Sequence, residues 1–96
     1  GGGLPGAADG TDVGACFDGS CEIQVGRRVS VPLDRRFRVD DFEIRPPDRR
    51  GAVRIVANGG RLWTEGGDGS RLEVNGIRAD VVAVRGRTAI IRLSPA

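Results

Sequence analysis

Two Asn-Gly pairs, Asn58-Gly59 and Asn75-Gly76, each sit between short runs of alternating apolar residues. That arrangement is the strongest short-range signal for a β-hairpin, because a two-residue type I′ turn needs positive φ at both central positions. The first pair is flanked by 52–57 and 60–65, and the second by Leu72/Val74 and Ile77/Ala79/Val81. Upstream, Cys21-Glu22-Ile23-Gln24-Val25 puts apolar side chains on one face and polar ones on the other, the period of a half-buried strand. Val29, Val31 and Leu33 continue the alternation, with Pro32 marking an edge or strand end. Phe42-Glu43-Ile44 reads as a further short strand before the turn at 46–51. Val81–Val84 is apolar on both faces, which places it at a sheet centre or a bend. Ile90 and Ile91 likewise face both ways in the closing strand over 88–93. No stretch keeps a helical period. These signals predict an all-β fold of about eight short antiparallel strands, a small sandwich or a partly closed barrel.

Ninety-six residues make one domain, and a chain of this size buries only about 60–65% of its unfolded surface. With three Phe and one Trp, the core must rest on Val, Ile, Leu and Ala. The Gly-rich stretch over 1–15 lacks apolar periodicity and is expected to be a flexible linker, leaving 16–96 as the domain. The start at Gly1 without Met suggests a piece of a longer protein. No run approaches the roughly 20 apolar residues of a membrane span, so no membrane insertion is expected within this segment.

Composition narrows the chemistry. All fifteen basic residues are Arg, and His, Lys, Tyr and Met are absent. The usual general base near neutral pH is therefore missing, along with the commonest metal ligand. No Schiff base or phosphate-loop lysine exists, and no serine has a His or Lys to activate it. Asp34, Asp40, Asp41 and Glu43 are interleaved with arginines, which suits solvated ion pairs better than a glycosidase pair. The loop at 66–70 lies between β-like runs instead of before a helix, so it is no phosphate cradle. The reading is a non-enzymatic chain with no cofactor and no metal.

Cys16 and Cys21 flank a four-residue turn centred on Asp18-Gly19, a spacing that brings two thiols within bridging range. A structural disulfide is the first reading and a pair of free thiols the second. A metal site would need two further ligands, and neither a further Cys nor any His exists. A disulfide implies an oxidising compartment, extracellular or in the cell envelope.

Two features bear on binding. Trp63, the only Trp, is expected at the core or its edge with its N–H bonded; the alternative is an exposed stacking platform. Eight of the fifteen arginines fall between residues 27 and 50 against five acids, so that stretch is expected to be a solvated, charge-alternating face; the alternative is an anion docked there through Arg35, Arg36 and Arg38. The net charge is only +2, a weak signal for nucleic acid.

Val25-Gly26-Arg27, then Leu72-Glu73-Val74-Asn75-Gly76-Ile77 with Val82 and Ile90, resembles the forkhead-associated domain, a β-sandwich that binds phosphothreonine peptides. The likeness is patchy over residues 22–93, and the family's Ser-Arg-x-His core has no counterpart. It implies a sandwich, and Arg27 as the one carried-over binding residue. The combined expectation is a non-catalytic accessory module of a larger exported or envelope protein, binding a protein partner through a sheet face or its Arg-rich segment. The alternatives are an anion-binding module and a small secreted inhibitor or effector.

Overall fold

A computed structural model describes residues 6–96. Eight strands form two four-stranded antiparallel sheets: β1 (Cys21–Val25), β2 (Val29–Ser30), β3 (Glu43–Arg45), β4 (Val53–Ala57), β5 (Leu62–Gly66), β6 (Arg71–Val74), β7 (Ile77–Arg85) and β8 (Thr88–Pro95). One sheet has the order β1-β8-β7-β6 and the other β2-β3-β4-β5. The architecture is thus a small β-sandwich, without closure into a barrel.

Alternation places the core between the sheets. Ile23 and Val25, Ile44, Val53 and Ile55, Ile77 and Val81, and Ile91 and Leu93 all turn inward and are almost fully buried. Burying a branched aliphatic side chain contributes about 1.5–3 kcal/mol, so these residues carry most of the fold. Of the four aromatic residues only Phe42 joins the buried core.

The turns decide the register. At Asn75-Gly76 the pairing Val74↔Ile77 leaves a two-residue loop, with φ of 46° and 86°, as a type I′ turn requires. The other Asn-Gly pair departs from the expected two-residue hairpin. Ala57 pairs with Leu62, so Asn58, Gly59, Gly60 and Arg61 all lie in the loop. Gly60 adds a third positive φ, 89° after 53° and 66°, and the longer left-handed turn is tied elsewhere. Asn58 N–H donates to the Asp40 carbonyl at 2.6 Å, and the Asn58 side-chain oxygen accepts from Asp40 N–H at 2.7 Å.

Val82 is the extra residue of a bulge, because Val81 pairs with Ile91 and Ala83 with the next residue, Ile90. The bulge breaks the alternation in β7, which accounts for its apolar residues on both faces. Ile91 joins the core while Ile90 is buried outside that cluster. Regular pairing of β2 stops at Ser30, earlier than the alternation suggested. Val31 N–H still donates to the Phe42 carbonyl, but Pro32 has no N–H to continue the ladder.

The linker expected over 1–15 is corrected by the backbone bonds of its described part; residues 1–5 lie outside the described residues. Asp9 N–H donates to the Glu22 carbonyl at 2.9 Å and Gln24 N–H to the Gly10 carbonyl at 2.8 Å. The Asp9 carboxylate accepts from Glu22 N–H at 2.8 Å. This segment covers the free edge of β1, a position that otherwise invites edge-to-edge association. A short 3-10 turn at Val13–Cys16, capped by the Asp12 carboxylate, then leads into the disulfide loop.

Candidate functional site

The outer face of the β2-β3-β4-β5 sheet carries the most distinctive surface chemistry. Inward Val53, Ile55 and Ala57 oblige Arg54 and Val56 to point out, and the β4–β5 register then sets Trp63 opposite Val56 and Glu65 opposite Arg54. Trp63 is 57% exposed, and its neighbour Leu62 is 37% exposed. The expectation of a core or core-edge Trp is therefore corrected: Trp63 is an outward-facing residue on an edge strand. The Arg54 guanidinium lies 4.8 Å from the centre of its ring. The same guanidinium donates to Glu65 Oε2 at 3.1 and 3.3 Å. Glu65 thus holds Arg54 over the indole, a cation–π contact worth about 0.5–1 kcal/mol at an exposed site.

The rest of the face is charged and internally paired. Arg45 stands directly opposite Arg54, a like-charge cross-strand pair that costs stability by itself. Two acids offset it: Glu65 on Arg54, and Glu43, which accepts from Arg45 Nε at 2.9 Å and lies 3.8 Å from Arg28. An apolar centre of Trp63 and Val56 is therefore rimmed by arginines already fixed in place. Trp and Arg are the residue types that dominate protein-interface energetics.

The arginines between residues 27 and 50, contiguous in sequence, are parted by the fold. Arg27 precedes β2 and sits at one end of the sandwich, whereas Arg35, Arg36 and Arg38 follow β2 and sit at the other. At that second end Asp34 caps the turn Arg35–Phe37 through Arg36 N–H, and Arg38 closes it in a left-handed conformation. Arg36 donates to the Asp18 carbonyl at 3.1 Å and stacks on Phe37 at 4.9 Å. Asn75 of the second hairpin donates to the carbonyls of Phe37 and Arg38 at 3.2 and 3.0 Å. Arg35, Arg36 and Arg38 share this end with Asp18, Asp34, Asp40 and Asp41, so little net positive charge gathers there.

Cys16 and Cys21 are bonded, with Cα atoms 4.9 Å apart. Both are buried, and the bridge staples the Val13–Cys16 turn to the start of β1. Among the described residues no three Cys, Asp or Glu side chains converge as metal ligands, and no helix is long and apolar enough to cross a membrane.

The outward orientation of Trp63 was readable from parity. With Val53, Ile55 and Ala57 inward, a loop of either two or four residues puts Trp63 on the opposite face. What the sequence did not show is the partner: a two-residue loop would have set Trp63 across from Arg54, whereas the longer loop gives Arg54 an acid opposite and leaves the indole on the diagonal. Compared with protein families, curated proteins and solved structures, the chain matches none; of the forkhead-associated resemblance, the two-sheet β architecture alone has a counterpart in the structure.

Proposed function

We propose that this chain is a non-catalytic interaction module of a larger exported or envelope protein, and that it binds a protein partner through the outer face of the β2-β3-β4-β5 sheet. The observation that carries the reading is Trp63, 57% exposed with Arg54 held on its ring by Glu65. An exposed indole gains little for the fold, whereas burying it in a partner removes a large apolar area from water. Pre-fixed neighbours lower the side-chain ordering cost of docking. Arg28, Arg45 and Arg54 outnumber Glu43 and Glu65 on this face, so the complementary surface is an apolar pocket with a carboxylate rim. The Cys16–Cys21 bridge is compatible with an oxidising location.

The test is affinity capture with wild-type, Trp63→Ala and Arg35→Glu/Arg36→Glu/Arg38→Glu baits, followed by reconstitution with the purified partner. Trp63→Ala is expected to weaken binding by about 30-fold, the level of an interface anchor. Binding should survive a rise from about 50 to about 300 mM salt, because docking on an apolar centre is weakly screened. Equal affinity of Trp63→Ala and wild type, or loss confined to the triple charge reversal, would overturn the proposal in favour of anion docking at the Arg35–Arg38 turn.

A further inference from the structure

The end of the sandwich away from the disulfide holds a cleft of about 570 Å³. Its walls come from both sheets: Gly26 after β1, Pro46, Pro47, Asp48 and Arg49 after β3, and the Gly86-Arg87 turn between β7 and β8. Arg27 lines an adjoining depression that shares Gly26. Six arginines stand in or beside these loops, Arg27, Arg28, Arg49, Arg50, Arg85 and Arg87, all exposed. Only Arg28 and Arg50 make ion pairs. Four of the six are therefore unpaired; the opposite end also has unpaired arginines, Arg35, Arg36 and Arg38, but sets Asp18, Asp34, Asp40 and Asp41 among them.

Asp48 is the one acid in the wall, and its oxygens are turned to its own loop. They accept from Arg50 N–H at 2.8 Å, Ala52 N–H at 3.0 Å and the Arg50 guanidinium at 3.3 Å. The Ala52 N–H foremost, with the Arg50 contacts, holds the Asp48 carboxyl below the usual range. Its charge therefore organises the 46–52 turn and leaves Arg49 unpaired. Arg87 is likewise unpaired, carried at the rim by a two-residue turn in which Gly86 takes φ of 58°. Pro46 and Pro47 add a rigid apolar wall without N–H groups, and Pro47 is buried.

One unpaired guanidinium from each sheet, across a proline-walled cleft, is an arrangement that favours a compact anion of high charge. Such an anion relieves the repulsion among the arginines and accepts their fork-shaped donor sets. We propose that this cleft binds the phosphate or sulfate group of a small organic ester, with Arg49 and Arg87 bracketing the oxyanion and Pro46-Pro47 supporting its carbon skeleton. The site lies off the Trp63 face, so it stands or falls independently of the partner-binding reading.

The test is an NMR titration of the full ¹⁵N-labelled chain at constant ionic strength. The probes are inorganic phosphate, phenyl phosphate, phenyl sulfate, acetate and chloride. Saturable shifts at Gly26, Arg49, Gly86 and Arg87 are expected with phosphate and with one of the phenyl esters, the ester binding more tightly through its ring. Arg49→Gln/Arg87→Gln should weaken that binding about tenfold or more, while Arg35→Gln/Arg36→Gln leaves it unchanged. A preference for phenyl phosphate that fades as the dianion protonates through a pKa of about 6 assigns a phosphate ester; a pH-independent preference for phenyl sulfate assigns a sulfate ester. All four residues are exposed, and the dispersion of each variant's spectrum reports its folding. Equal shifts with acetate or chloride, equal affinity in Arg49→Gln/Arg87→Gln, or shifts spread over Arg35–Arg38 would overturn the site.

Discussion

Gly19 and Gly69 offer a matched pair of substitutions. Their φ values are 83° and 81°, so an added Cβ meets the same intrinsic penalty at both, about 1 kcal/mol for a left-handed non-glycine residue. Their surroundings differ. A Cβ at Gly69 has nothing within 4 Å, whereas one at Gly19 lies 2.6 Å from Cζ of Phe37 and 3.2 Å from both Cε atoms. The ring has little freedom to withdraw, since Phe37 packs against the core and Arg36 stacks on it. Overpacking of this kind adds about 1–3 kcal/mol.

Gly69→Ala should therefore cost about 1 kcal/mol and Gly19→Ala about 2–4 kcal/mol, the sum of the two penalties. The assay is urea unfolding, read as midpoint shifts at constant m. A Phe37→Ala background removes the ring but not the φ penalty, so Gly19→Ala should fall there to about 1 kcal/mol. An equal loss in both backgrounds would refute the reasoning. The contact also bears on the neighbouring turn, because Phe37, seated on Gly19, is part of the 3-10 turn that carries Arg35 and Arg36 and that Arg38 closes.

Three further outcomes follow from the same contacts. Trp63→Ala should lower stability by less than about 1 kcal/mol, against about 3–5 for a core Trp, as measured by thermal or urea unfolding; a larger loss would make Trp63 a structural residue. Native unreduced protein should take up no alkylating label by intact mass. Cys16→Ala/Cys21→Ala should unfold about 2 kcal/mol more easily, the chain-entropy value for so short a loop. Arg92 Nη2, 2.8 Å from Glu22 Oε2, chiefly lowers the Glu22 pKa, with help from Ala8 N–H. A depressed folded pKa contributes stability that is present above the unfolded pKa of about 4.3 and lost as pH falls through the folded value. Glu22→Gln should thus be less stable than wild type at neutral pH, with the gap closing in acid; a gap constant down to about pH 2 would refute the pairing.

Much of the fold was legible because alternation and turn chemistry act locally. Cys21–Val25 is a strand with the boundaries its period-two pattern suggests, and Asn75-Gly76 makes the turn that its residues favour. The double-faced run at Val81–Val84 is explained by the bulge at Val82. The misses share a cause, which is backbone groups satisfied at long range. The Asn58 loop is longer because it bonds Asp40, eighteen residues away, and the stretch from Ala8 docks because β1 has an open edge. Neither partner is visible in a local window. The arginines mislead for the same reason: antiparallel strands send neighbours in sequence to opposite ends of the molecule.

Pairing separates the surfaces more sharply than position does. Arg45 and Arg54, the arginines on the outer face around Trp63, both make ion pairs, as does Arg28 beside them. Binding there would recruit side chains whose conformations are already restricted, so its strength depends on shape and on the indole more than on free charge. Arg27, Arg49, Arg85 and Arg87 at the cleft end have no acid within ion-pairing distance, and a ligand meets no internal competitor for them. Arg35, Arg36 and Arg38 also lack ion pairs, but aspartates at their own end blunt the field that an incoming anion would feel. Glu65 joins the two surfaces, bonded to Arg54 at 3.1 Å and 3.9 Å from Arg50. Its carboxylate holds Arg54 over the indole and lies within ion-pairing distance of Arg50, which Asp48 also engages at 3.3 Å. One acid, placed opposite Arg54 by a hairpin loop two residues longer than Asn-Gly alone would give, thereby ties the paired arginines around Trp63 to one side of the molecule and leaves the unpaired ones at the cleft end.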